Sequence, residues 1–266
     1  MKIFETIIEG FHKVLFADKD SMMKHICLLA LTAIISYSSV QSDILNTQLK
    51  GTSADAMPDL TGFFLGLLAA LIVGCYLWGY SLKFMHNVYH ENPEETLPEF
   101  DENSFIVFFK ALPLMLVWIV YFILIAGSYM AIGFLFVFKM PLLLPLLIIV
   151  YLFIFISLAI GLQFVWIEFS KHFNRTGLFN INLPLKYIKP TIGPLCLLGL
   201  LYMLIYIICL IPCVLIGAVM GIAGAGETAT MYVGGVLGGY LGFVCQLVWY
   251  YCIVKLYKEK FENRIE

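Results

Sequence analysis

Charge is scarce in this chain, and none stands at the centre of any of its long apolar runs. Only 13% of residues are charged against 61% hydrophobic, and the mean hydropathy is +0.92. Soluble domains carry roughly 25% charged residues, so a soluble core is excluded. Proton- and sodium-driven carriers keep ionisable groups at mid-membrane depth, so their absence argues against ion coupling of that kind. No basic block accompanies the net charge of −2, and no nucleic-acid partner is expected. There is no Gly-x-Ser-x-Gly elbow, no His-Glu-x-x-His helix and no embedded pair of acids. The sequence therefore offers no catalytic residue, no metal site and no cofactor. All seven cysteines lie within apolar runs, which predicts free thiols rather than an exported disulfide framework. The leader lacks a small-residue cleavage pattern, so no cleavable signal peptide is expected.

What the chain does have is six apolar runs, near 24–43, 59–82, 109–136, 142–168, 193–220 and 232–256. Each approaches or exceeds the ~20 residues that a hydrocarbon layer of ~30 Å requires. A tight turn around Lys139-Met140-Pro141 joins the third to the fourth. The loops expected on the far side are a polar stretch, about 44–58, and a Gly/Ala-rich one from Gly221 to Thr230. Fourteen of the 16 Lys and Arg residues fall on one side of this arrangement, with only Lys50 and Lys139 opposite. Basic residues resist translocation, so the split predicts an inner-membrane protein with both termini cytoplasmic. Residues 1–266 read as one polytopic membrane domain: a leader over 1–20, the six crossings, and a cytoplasmic tail over 257–266.

In the leader, Ile3, Phe4, Ile7, Ile8, Phe11, Val14 and Leu15 recur at helical spacing opposite Glu5, Glu9, His12 and Lys13. This predicts an amphipathic helix in the cytoplasmic interface; the alternative is a helix packed on the protein's own surface. A weak repeat follows. Trp78 precedes Lys83, Trp166 precedes Lys171, and Trp249 precedes Lys255, each pair closing an even-numbered crossing. An aromatic belt with snorkelling lysines generates such a pattern without any repeat. The similar intervals, 88 and 83 residues, favour three tandem helical hairpins. Each would follow an amphipathic segment: 2–16, about 99–110 and about 177–189. The fold class expected is an all-α integral membrane protein of about six transmembrane helices.

Small residues at four-residue spacing let helices approach closely in lipid. Gly234, Gly238 and Gly242, with Gly235 and Gly239, have that spacing in the sixth crossing, as do Gly62 and Gly66 in the second. Their partner is another helix of the chain or a second protein, including a homo-oligomer. Gln163 and Gln246 are the best intramembrane polar candidates, and interhelical hydrogen bonding is the plainer use for them.

The most polar connection, from His86 to Glu102, places His86 and His90 on one helical face before six carboxylates within a dozen positions. Its spacing matches no metal signature, and a solvated acidic loop is the expectation. Leading into it and through it, Gly79-Tyr80-x-x-Lys83, then Asn87-Val88, then Leu97-Pro98-Glu99-Phe100-Asp101 ahead of an apolar run resembles a family of bacterial and archaeal multi-pass membrane proteins of unassigned activity. The resemblance implies fold, membrane location and a prokaryotic host, and no reaction; His86 departs from it where family members often carry a basic residue. Read physically, Leu97-Pro98 docks the segment, Phe100 anchors it, and Asp101 caps the helix that starts near Glu102. A lipid headgroup or cytoplasmic partner is the functional alternative for these residues. The function expected is a non-enzymatic scaffold or accessory subunit of a membrane assembly; the alternative is a transporter or lipid-handling domain.

Overall fold

The computed structural model describes residues 3–16, 20–51, 60–91, 96–139, 144–180 and 182–262, and every regular element among them is an α-helix. They are α1 (Ile3–Phe16), α2 (Ser21–Gly51), α3 (Thr61–Tyr89), α4 (Asn103–Lys139), α5 (Leu144–His172), α6 (Asn182–Ile222) and α7 (Glu227–Phe261). Helices α2 to α7 each contain a stretch long and apolar enough to cross a bilayer. In lipid a helix satisfies its backbone polar groups internally, which is why these apolar sequences stay helical even through Pro113, Pro190, Pro194 and Pro212. The connection expected over Gly221–Thr230 shrinks accordingly. Helices run to Ile222 and resume at Glu227, leaving a turn in which Gly224 takes a φ of +75°. The turn at Met140-Pro141 and the end of the tail lie outside the described residues.

Packing sorts the six long helices into two sets. The even-numbered crossings α3, α5 and α7 touch one another, α3 and α7 being more extensively packed than α5 and α7. The odd-numbered crossings lie around them: α2 against α3 and α7, α4 against α3 and more lightly α5, α6 against α5 and α7. Where α3 meets α5, Trp78 and Trp166 stand edge to face at 5.6 Å; where α5 meets α7, Trp249 Nε1 donates to Gln163 Oε1 at 2.6 Å.

Helices α4 and α6 have 37 and 41 residues, against the 20 or so that span ~30 Å of hydrocarbon. The excess includes the polar N-terminal stretches around 103–110 and 182–189, which are continuous with the crossings rather than separate helices. Each lies on the preceding even-numbered crossing through a glycine. A Cβ on Gly79 of α3 would fall 1.8 Å from the Ser104 carbonyl oxygen of α4. One on Gly161 of α5 would fall 2.6 Å from the Pro184 carbonyl oxygen of α6. The first leader follows suit on the sixth crossing. α1 packs on α7, where a Cβ on Gly10 would sit 3.1 Å from the Tyr251 ring, and Ile3, Ile7 and Val14 are buried. His25 of α2 fixes the corner, donating to the Val14 carbonyl at 3.0 Å and receiving the Tyr240 hydroxyl at 3.0 Å.

The core gathers at the end of the bundle where α1 and the end of α7 lie, here called the base. Tyr80, Phe84, Leu97, Phe164, Phe169, Leu198 and Leu247 are fully buried there. The far half is open. None of the most apolar 18-residue stretch of α6 is buried, and only 12% of that of α5. Lipid is a compatible surrounding for those side chains, because lipid tails are as apolar as the side chains they would cover.

Candidate functional site

The described motif residues Gly79, Tyr80, Lys83, Leu97, Pro98, Phe100 and Asp101 converge on the base. Phe100 lies against the buried Tyr80 ring at 4.9 Å and the Tyr76 ring at 6.1 Å, both near-parallel. Leu97 and Pro98 are buried, and the Leu97 carbonyl accepts a hydrogen bond from Lys24 Nζ at 2.6 Å. Lys83 Nζ reaches Asp101 Oδ1 at 2.6 Å, and Asn103 Nδ2 donates to the other oxygen at 2.6 Å. Asp101 thus ties α3 to the first turn of α4, one residue later than the Glu102 start expected from sequence.

Burial by itself would raise the Asp101 pKa, but the hydrogen bonds from Lys83 and Asn103 and the Lys83 charge hold it below the usual carboxylate range. Glu262 behaves alike: burial raises it, and Tyr89 and Lys171 more than offset that. Both folded-state values are depressed, so the stability these ties contribute is complete above the unfolded carboxylate value. It is lost as pH falls through the folded one. The melting temperature of the solubilised protein is therefore expected to fall between about pH 5 and pH 3, with a shallower fall in Asp101→Asn. A parallel decline in both proteins would remove Asp101 from the account.

The small-residue positions divide. Gly62 and Gly66 face α2, with Gln41 Oε1 at 3.1 Å and the Ser38 Cα at 3.2 Å from an added Cβ. On α7 it is Gly235 and Gly239 that meet α2, at Ser36 and Thr32. Among the described residues, Gly234 and Gly238 have nothing within 4 Å of an added Cβ, and Gly242 has the Tyr206 hydroxyl at 3.7 Å. Gln163 accepts from Trp249 across α5 and α7, whereas Gln246 donates to Tyr250 of its own helix at 2.8 Å.

A polar network at the base escaped sequence reasoning. Lys171, read as a snorkelling residue, is only 13% exposed and turns inward. Its amine stands 3.3 Å from Glu168 and 3.0 Å from Glu262, donates to the Tyr257 hydroxyl at 2.9 Å, and lies over the Tyr257 and Tyr89 rings. Tyr257 and Tyr187 both donate to Glu168, and Tyr89 donates to Glu262. Burial and the Glu168 charge push the Tyr187 phenol well up, keeping it a donor. His86 and His90 donate to the Ser170 and Lys171 carbonyls, at 2.7 and 3.0 Å, closing the C-terminal end of α5. Ends of α3, α5 and α7 are thereby fastened together. Among the described residues no three His, Cys, Asp or Glu side chains gather as for a metal ion.

Two cavities adjoin these residues. An apolar groove of about 390 Å³ runs between α2, α3 and the start of α4, lined by Leu31, Ile34, Val73, Tyr76, Phe100 and Phe105 among others. A polar pocket of about 200 Å³ lies between α1, α3 and α7. No protein-family model, no curated protein and no solved structure matches the chain.

Proposed function

We propose that this chain is a non-enzymatic scaffold or accessory subunit of a membrane assembly, with both termini cytoplasmic and the base at the cytoplasmic face of the inner membrane. The observation that carries the reading is the open space along α7 at Gly234 and Gly238, where an added Cβ would meet nothing within 4 Å among the described residues. Beside it no residue of the most apolar stretch of α6 is buried. Small-residue faces are where helices associate in lipid, so a transmembrane helix of a partner or second copy fits there. In the same reading the chain is three tandem hairpins, each entered through an amphipathic segment, and α1 lies in the interface. Its outward residues Phe4 and Ile8 support that placement, being 59% and 54% exposed.

Gly238→Leu tests the proposal. The added side chain has open space within the protomer, so folding is expected to survive. Association is expected to drop roughly tenfold, since close helix contacts in membranes contribute on the order of 1–2 kcal/mol. Native electrophoresis of gently solubilised host membranes reads the result, and an undiminished complex would sink the idea. A second reading, a lipid-handling domain, is favoured by the apolar groove beside Tyr76 and Phe105, which has the character of an acyl-chain site.

A further inference from the structure

The polar pocket between α1, α3 and α7 mixes charges of both signs, with Lys13 and Lys255 on its wall beside Glu9 and Glu91. These charges do not cancel in pairs. Glu91 is shared by Lys258 at 2.8 Å and Lys255 at 3.5 Å, so one carboxylate serves two cations. Lys13 has no ion pair or hydrogen bond among the described residues. One Glu9 oxygen accepts from the Tyr251 hydroxyl at 2.5 Å, which orients the carboxylate without neutralising it. The two lysines and two glutamates of the wall balance in number, but their pairing leaves a cationic corner at Lys13 and Lys255 and, separately, an unneutralised carboxylate at Glu9. Its volume of about 200 Å³ suits a small polar group rather than a drug-sized molecule. Tyr251 and Lys255 follow Trp249, a residue type enriched where membrane meets water, which suits a site at headgroup depth.

We infer that this pocket binds the zwitterionic headgroup of an aminophospholipid, its phosphate on Lys13 and Lys255 and its ammonium on Glu9. Lysine ammonium groups are suitable point-charge partners for a phosphate oxygen. An ammonium with N–H donors can hydrogen-bond the Glu9 carboxylate, which a quaternary choline cannot. The inference is independent of whether the chain acts as a scaffold or handles lipid, because an annular or a transported lipid would occupy the same pocket.

The test is native mass spectrometry of the full chain, delipidated in mild detergent and titrated with phosphatidylethanolamine, phosphatidylcholine and phosphatidylglycerol of identical acyl chains. Phosphatidylethanolamine is expected to bind most tightly. Lys13→Gln is expected to weaken it roughly tenfold, the cost of a lost charge-assisted contact. Glu9→Gln keeps an acceptor for Tyr251 and is expected to erase the preference over phosphatidylcholine. Unchanged melting temperatures establish that both variants are folded; a variant that fails this check is replaced by Lys13→Met or Glu9→Ala. Equal binding of the three lipids, or a preference that both variants leave intact, overturns the assignment. Soluble phosphoethanolamine competing as well as the lipid would retain the site and overturn the lipid as its source.

Discussion

Gly79→Ala is expected to destabilise the protein by about 2 kcal/mol or more, although it adds one methyl group to a helix. Alanine is the better helix former by roughly 1 kcal/mol, so on propensity alone the change would stabilise. That gain is overwhelmed because the new Cβ would lie 1.8 Å from the Ser104 carbonyl oxygen and 2.7 Å from its carbon. Those are backbone atoms at the start of α4 and cannot swing aside. Either the two helices separate, or the Lys83–Asp101 tie and the Phe100 stack beneath them are lost. Gly234→Ala supplies the control, since open space surrounds that position and propensity should act unopposed. Thermal unfolding of both variants in the same detergent decides it. If Gly79→Ala melts no lower than Gly234→Ala, the close approach of α3 and α4 is wrong.

Replacing Lys171 by Met is expected to have the second largest effect, about 2 kcal/mol. Removing one partner of a buried ion pair costs roughly 3–5 kcal/mol, and the partial exposure of Glu168 (24%) and Glu262 (29%) lowers the expectation. The loss comes less from the missing attraction than from the acids left behind. Among the described residues, Glu168 would keep the hydroxyls of Tyr187 and Tyr257, and Glu262 that of Tyr89 with the Lys258 charge nearby. Adding Glu168→Gln to Lys171→Met should therefore recover part of the stability, a coupling that independent sites would not show. Limited proteolysis gives a second readout, because α7 beyond Lys255 depends on this network and should become cleavable near Lys258 and Lys260. A protein as stable and as protease-resistant as the parent would remove Lys171 from the fastening of the base.

How much of this was legible in the sequence follows from the range of each interaction. Apolar length and the lack of central charge suffice for six long helices, because lipid imposes its requirement on each segment separately. Helix ends were less legible. The Gly/Ala run after Gly221 and the polar stretches after Asp101 and Asn182 look like breaks in hydropathy, yet nothing in them forbids helical backbone. Periodicity found the glycines of α7 without saying which of two adjacent faces meets α2; Ser36 and Thr32 select Gly235 and Gly239. Gly79 was noticed for its neighbours in sequence and Gly161 not at all, since a solitary glycine carries no period and its use appears only when another helix lies across it. The network around Lys171 joins Tyr89 to Glu262, 173 residues apart, and no local pattern anticipates that.

The uneven distribution of packing along the bundle has a mechanical consequence. A bilayer thinner or thicker than the apolar spans makes helices tilt or bend, at modest cost per ångström of mismatch. In this chain the most apolar stretches of α5 and α6 are little buried, so they are expected to yield first. The base, held by the three glycine crossings and the Lys171 network, keeps its geometry while they do. In a bilayer crossed by these helices, changes in thickness are expected to be absorbed in the far half and insulated from the base.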